Sequence, residues 1–189
     1  MIKMRIISGL YKGRSIEFLK NSNTRPLKDS VRENIFNVLK HSNRTKIEIE
    51  NSNVLDLYCG IGSFGIECLS RGAAKVTFVD KDLDASSILR ENLSKLSILN
   101  KSKILLSKIE DVLIKDLKEK FNIFFLDPPF IDLNYLDSIK IIKEKKIFCK
   151  NHVVIVHREK DSKDILKDFL EIIETRQYGR SKIFFGIFK

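Results

Sequence analysis

Cysteine, histidine and proline are scarce in this chain of 189 residues, with three of each, and tryptophan is absent. Cys59, Cys68 and Cys149 are odd in number and form no Cys-x-x-Cys pair, which argues against a disulfide framework or a zinc site. With only His41, His152 and His157 beside them, no metal is expected. No apolar run reaches the ~20 residues that span a bilayer. The opening Met1-Ile2-Lys3-Met4-Arg5 lacks the apolar region of a signal peptide. A cytoplasmic protein without membrane contact, acting as a monomer, is expected. Negative charge is also in short supply: 35 Lys and Arg stand against 25 Asp and Glu, a net charge of +10. That balance suits a polyanion such as nucleic acid. The abundance of Lys, Ile and Asn is equally what an AT-rich coding sequence produces, so arginine placement is more informative than the total.

Two of the three prolines are adjacent, in Asp127-Pro128-Pro129-Phe130. The apolar run Ile123-Phe124-Phe125-Leu126 precedes them and reads as a buried strand. Proline cannot donate to a sheet ladder, so the strand stops there, and Asp127 is held extended by the proline after it. The loop presents a carboxylate, backbone carbonyls and an aromatic ring. These suit a planar amine, its two protons accepted by Asp127 and the Pro128 carbonyl, with Phe130 stacked on the attached ring.

A second loop, Gly60-Ile61-Gly62-Ser63-Phe64-Gly65, lies between the strand Val54–Tyr58 and a helix Ser63–Ser70. Glycines there admit a ligand close to the backbone, and the helix N-terminus favours an anionic group. Asp80 ends the next strand, twenty residues after Gly60, where ribose hydroxyls could be bound. To this point a dinucleotide oxidoreductase fits equally well. Asp56, just before the loop, would repel a pyrophosphate but suits the cationic amino group of S-adenosylmethionine. Tyr58 closes the same strand. Cys59 reads as a packing residue rather than a nucleophile, and Cys68 as core.

Residues 1–45 read as an N-terminal extension and 46–189 as the main domain. The extension contains a hairpin over Met4–Phe18 and a helix starting at Ser30, with Glu33 at capping-box spacing. Arg5, Lys12, Arg14, Arg25, Arg32 and Arg180 are candidate phosphate contacts. The main domain alternates strands and helices, the pattern of an α/β, Rossmann-like fold. Strands are expected at 75–80, 103–107, 122–126, 152–157, 171–178 and 182–188. Helices are expected from Asp82 or Asp84, at 109–118, 133–143 and 162–170.

On these residues the chain resembles the RsmD-type 16S ribosomal RNA guanine-N2 methyltransferases, within the class I S-adenosylmethionine-dependent methyltransferases. The likeness runs over nearly the whole chain. It comprises Arg5-Ile6-Ile7-Ser8-Gly9 with Lys12-Gly13-Arg14, Arg25-Pro26, Asp29, Val31-Arg32-Glu33, Phe36, Asp56-Leu57-Tyr58-Cys59-Gly60-Ile61-Gly62, Leu69-Ser70-Arg71-Gly72-Ala73 and Asp127-Pro128-Pro129-Phe130. It implies a seven-stranded, mostly parallel sheet with a reversed terminal strand, S-adenosylmethionine as cofactor, and the small ribosomal subunit as partner. The implied target is a 16S rRNA guanine, the one at position 966. Leu27 departs from the family, which usually has Thr there, and no acidic residue immediately follows the third strand. Backbone groups at Lys108 and Ile109 are therefore the candidates for holding the adenine amine. An adenine-N6 methyltransferase of DNA or RNA would use the same Asp-Pro-Pro-Phe loop. A ribosome-assembly RNA-binding module without activity is a further alternative, disfavoured by the intact Asp56, Gly60, Gly62, Asp80 and Asp127. A protein glutamine methyltransferase usually carries Asn in place of Asp127.

Overall fold

Short β-branched and aromatic runs separated by amphipathic segments condense into a seven-stranded sheet with helices on both faces. The computed structural model describes residues 4–18, 27–44, 47–115, 117–162 and 165–189. A two-stranded N-terminal ribbon pairs β1 (Met4–Arg5) with β2 (Ser15–Ile16), and α1 (Asp29–His41) follows. The main domain then runs β3 (Asn53–Leu57), α2 (Ser63–Ser70), β4 (Lys75–Asp80), α3 (Leu83–Lys95), β5 (Ser102–Leu106) and α4 (Ile109–Lys115). It continues with β6 (Phe121–Leu126), α5 (Tyr135–Lys145), β7 (Phe148–Glu159), β8 (Glu171–Tyr178) and β9 (Ser181–Ile187). The strand order is β5-β4-β3-β6-β7-β9-β8, with β9 antiparallel to both neighbours and the other pairings parallel. This is the expected mostly parallel sheet with its last strand reversed.

Chain order runs outward from β3 in one direction and from β6 in the other, so a crevice opens at the carboxyl ends of these two strands. The glycine loop follows β3 and the Asp127 loop follows β6, which brings the two motifs together. Side-chain alternation assigns the faces. Val54, Ile123, Phe125, Val153 and Ile155 pack with α1, α2, α3 and the N-terminal ribbon. Leu55, Leu57, Phe124, Leu126, Val154 and Val156 pack with α4 and α5.

The N-terminal ribbon and α1 share the first of these cores. Phe36 of α1, Phe64 of α2 and Phe125 of β6 stack in series, with ring centroids 5.2 and 4.1 Å apart. Each such pair contributes about 0.5–1.5 kcal/mol beyond its buried area. Polar contacts tie the ribbon down as well. Buried Glu67 of α2 accepts hydrogen bonds from the Ile7 and Ser8 amides at 2.8 and 2.9 Å, and Ser70 Oγ donates to the Ser8 carbonyl at 2.6 Å. Gly9 has φ +84°, and a Cβ there would lie 1.9 Å from the Ser70 carbonyl oxygen. Gly9→Ala is therefore expected to cost about 2–4 kcal/mol, a strained φ added to an overlap with backbone; urea unfolding measures it.

Several boundaries differ from the sequence expectation. α1 begins at Asp29 with Lys28 at its N-cap and no side-chain cap, so the Ser30–Glu33 capping box is not formed. Ser30 already lies within the helix, and Asp29, in the first turn, pairs with Arg32 at 3.0 Å instead. β7 is twice the expected length. Phe148 pairs with Phe121 at one end and Glu159 with Ser181 at the other, so neighbouring strands, not apolarity, set its limits. In place of a helix over 162–170, the described residues form a single 3-10 turn, Leu166–Asp168, with Leu166 and Leu170 buried against the sheet.

Candidate active site

A cavity of about 830 Å³ occupies the crevice. Its wall brings together Tyr58, Gly60, Asp80, Lys108, Ile109, Asp127, Pro128, Phe130 and Arg180. These are nine of the residues singled out from sequence. Phe18, Lys28, His157, Tyr178 and Ser181 also line it.

The glycine loop divides the labour among its residues. Gly60 (φ +52°) has open space where a Cβ would point, and its amide donates to Asp80 Oδ2 at 2.7 Å. Asp80 Oδ1 accepts from the Asp82 amide at 2.9 Å, so both oxygens are held by backbone while spare lone pairs face the cavity. Gly62 and Gly65 serve packing. A Cβ on either would lie 2.4 or 2.3 Å from Leu89 or Phe78, and Gly62 does not line the cavity. Tyr58, a non-glycine residue at φ +59°, turns the chain out of β3. Such a conformation is costly and clusters at functional sites. Burial pushes its phenol up to about 12.

Asp56 lies behind the loop rather than in the cavity wall. It is 1% exposed; Oδ2 accepts from the Gly65 amide at 2.9 Å, and Oδ1 has no partner among the described residues. Burial pushes its carboxyl well above the ordinary value, and the nearby Asp127 and Asp80 charges add to the rise. The folded protein thus holds this proton more tightly than the unfolded chain. This contribution to stability is complete below about pH 4, the ordinary carboxylate range, and is lost as pH rises through the raised folded value. Asp56→Asn keeps an acceptor for Gly65 and is expected to remove this loss. Urea unfolding at pH 5 and pH 8 should show the variant gaining on the wild type at the higher pH.

Burial also holds the Cys59 thiol protonated, in keeping with a packing residue, and Cys68 is fully buried.

The Asp127 loop is gripped from both sides by β7. His157 Nδ1 lies 2.7 Å from Asp127 Oδ1. Arg158 donates to the Pro129 carbonyl at 3.1 Å and the Phe130 carbonyl at 2.8 Å, and its guanidinium lies over the Tyr135 ring at 4.6 Å. Among the described residues, no donor is assigned to the Pro128 carbonyl. Phe130 is partly exposed, its ring edge-to-face with His157 at 5.5 Å. Sequence reasoning missed both β7 residues. His157 entered only a metal count and the end of a predicted strand, and Arg158 not at all, because a strand end carries no motif. The available signal was two polar residues closing an apolar strand next to the loop.

The six predicted cations separate. Arg180 lines the cavity, ion-paired to Glu159 at 2.5 Å. Arg5, Lys12 and Arg14 are exposed on the N-terminal ribbon. Arg25 lies outside the described residues. Arg32 is corrected: it is fully buried, bonded to Asp29 Oδ1 and the Arg5 carbonyl, and lies 3.9 Å from Glu67, so it holds the fold together and cannot face a phosphate. Among the described residues no group of His, Cys, Asp and Glu is placed to hold a metal ion, and no helix is long and apolar enough to cross a membrane.

A family model described as conserved hypothetical protein 95 matches residues 4–187. The chain is 31% identical to the ribosomal RNA small subunit methyltransferase D of Haemophilus influenzae over 179 residues, covering 94% of this chain and 90% of that one. It is 30% identical to the protein of the same name in Escherichia coli over 157 residues, covering 83% and 75%. Among solved structures, the Escherichia coli protein yhhF, described as a candidate methyltransferase, superposes with a TM-score of 0.82 at 25% identity, covering 99% of this chain and 98% of that one.

Proposed function

Because the chain belongs to the family described as conserved hypothetical protein 95, the RsmD family, we propose that it transfers a methyl group from S-adenosylmethionine to the exocyclic N2 of a guanine in 16S rRNA. The relatives named as rRNA small subunit methyltransferases support the RNA class. The observation that carries the reaction type is the Asp127 loop, with Asp127, Pro128 and Phe130 lining the same cavity as the glycine loop.

The residues present fit the cofactor. Asp80, with spare lone pairs, suits ribose hydroxyls, and the cavity face of Gly60 admits close approach. The partnerless Asp56 oxygen places an acceptor behind the loop, suited to an ammonium group. Lys108 and Ile109 line the part of the wall proposed for the adenine. When bound, S-adenosylmethionine supplies an electrophilic methyl group on a sulfonium.

The chain's own residues then bind and orient. A guanine 2-amino group is a weak nucleophile because its lone pair is delocalised into the ring. Accepting its two protons at Asp127 and the Pro128 carbonyl aims the lone pair and favours a pyramidal nitrogen. Positioning of this kind supplies roughly 7–11 kcal/mol. Stacking on Phe130 adds about 1–3 kcal/mol. The base must leave its stack to enter. Residues 1–45 act as the RNA-facing extension, with Arg5, Lys12 and Arg14, and Arg180 at the cavity mouth, against phosphates.

Asp80→Ala is expected to weaken cofactor binding by about 10–100-fold, the loss of one or two charge-assisted hydrogen bonds; calorimetric titration measures it. The reading itself is tested with labelled S-adenosylmethionine, offering undermethylated small ribosomal subunits, naked 16S rRNA and duplex DNA separately. N2-methylguanosine from the ribosomal substrate, mapped to the position-966 guanine, is the expected product. N6-methyladenine would keep the Asp127 role and move the substrate to adenine.

A further inference from the structure

The last residues of β7 hold the Asp127 loop in two separable ways. Alternation turns His157 toward the face of Ile155 and Arg158 toward the face of Val156. Arg158 binds backbone, the Pro129 and Phe130 carbonyls. His157 instead engages side chains: Nδ1 meets Asp127 Oδ1 at 2.7 Å, and its ring meets Phe130 edge-to-face at 82°.

We propose that His157 is the positioning residue of the amine clamp: it donates Nδ1–H to Asp127 Oδ1, reserves the other carboxylate oxygen for the substrate amine, and fixes the Phe130 ring. The inference rests on the amine-methylating reading above and names a residue on which that reading is silent. Three observations carry it. A carboxylate rotates easily about its terminal torsion, and the Asp127 side chain is 23% exposed, whereas His157, at 9%, is fixed in the sheet. A charge-assisted bond from a fixed donor removes that freedom. An ionised carboxylate only accepts, so the proton of this bond belongs to Nδ1. His157 Nε2 is then buried with no partner among the described residues. A buried polar atom left unpaired is a cost to folding that calls for an explanation, and a positioning role supplies one. Finally, Arg158 already fixes the loop backbone, so loss of His157 disturbs the clamp's side chains without unfolding the loop.

The test compares His157→Leu with His157→Asn, which retains an N–H close to the Nδ1 position. With undermethylated small subunits as substrate, His157→Leu is expected to lower kcat by about 10–100-fold, as slight misplacement of a reacting group does. KM and cofactor affinity should stay within about twofold, the pattern of an interaction used only in the transition state. His157→Asn should recover most of the loss. Wild-type kcat in the Leu variant, equal losses in both variants, or a loss confined to KM or cofactor binding would each overturn the proposal. A second arm needs no substrate, so failure of the methyl-transfer reading leaves the inference testable. In histidine-labelled protein, long-range proton–nitrogen spectra should show His157 protonated at Nδ1, a signal that changes in Asp127→Ala. An Nε2–H tautomer in the wild type would refute the proposal.

Discussion

Asp127→Ala is expected to lower methyl transfer by about 10³-fold or more, with cofactor affinity changed by less than about threefold. The asymmetry follows from position. Asp127 follows β6, which β3 separates from β4 and its Asp80, and among the described residues its side-chain hydrogen bond runs to His157. Its removal takes away an acceptor for the amine and frees His157, but leaves the Asp80–Gly60 and Asp80–Asp82 bonds intact. Arg158 keeps its bonds to the Pro129 and Phe130 carbonyls, so the loop should hold its path. Rapid-quench methyl transfer and calorimetric cofactor titration on the same preparation separate the two effects. A variant that methylates at the wild-type rate removes Asp127 from the clamp. One that loses cofactor binding to the same extent makes it a structural residue.

Glu67→Ala should destabilise the protein by about 3–5 kcal/mol, the range for removing one partner of a buried ion pair. Glu67 is 1% exposed in α2. Its carboxylate accepts from the Ile7 and Ser8 amides and from Arg71 Nε at 2.9 Å, and lies 3.9 Å from Arg32 Nε, itself fully buried. Truncation leaves two amides without their acceptor and one buried guanidinium short of countercharge. Against a typical total of about 5–15 kcal/mol, that is a large share. Because α2 begins at the glycine loop and ends at the ribbon, the same change should loosen the N-terminal extension and raise KM for RNA. Glu67→Gln keeps an acceptor without the charge and should fall between. Urea unfolding by circular dichroism gives the number, and a loss below about 1 kcal/mol would show that the cluster is paid for elsewhere.

Glu67 also marks the limit of what could be read from residues alone. Within its helix it is one acidic residue in an apolar stretch, and nothing local says that it caps a ribbon sixty residues away. Arg32 misled for the same reason. A cation near a helix start reads as a phosphate contact, until the ribbon and α2 close over it. The glycine loop was legible as a whole, yet its glycines divide by what lies opposite. Gly60 faces open space, while Gly62 and Gly65 face Phe78. That division depends on β4 packing across α2, which no spacing encodes.

Period and punctuation in the sequence determined the α/β alternation, the Asp-Pro-Pro-Phe loop and the glycine loop, because prolines, glycines and apolar runs act over a few residues. The sheet order, with β3 beside β6, and the reach of β7 to Glu159 were decided only in three dimensions, by strands distant in the chain. So was the pairing of His157 with Asp127, thirty residues apart. Local rules fix which loop carries a carboxylate. Only neighbours across the sheet decide which way that carboxylate is held, since a hydrogen bond is specified by distance and angle, not by separation along the chain.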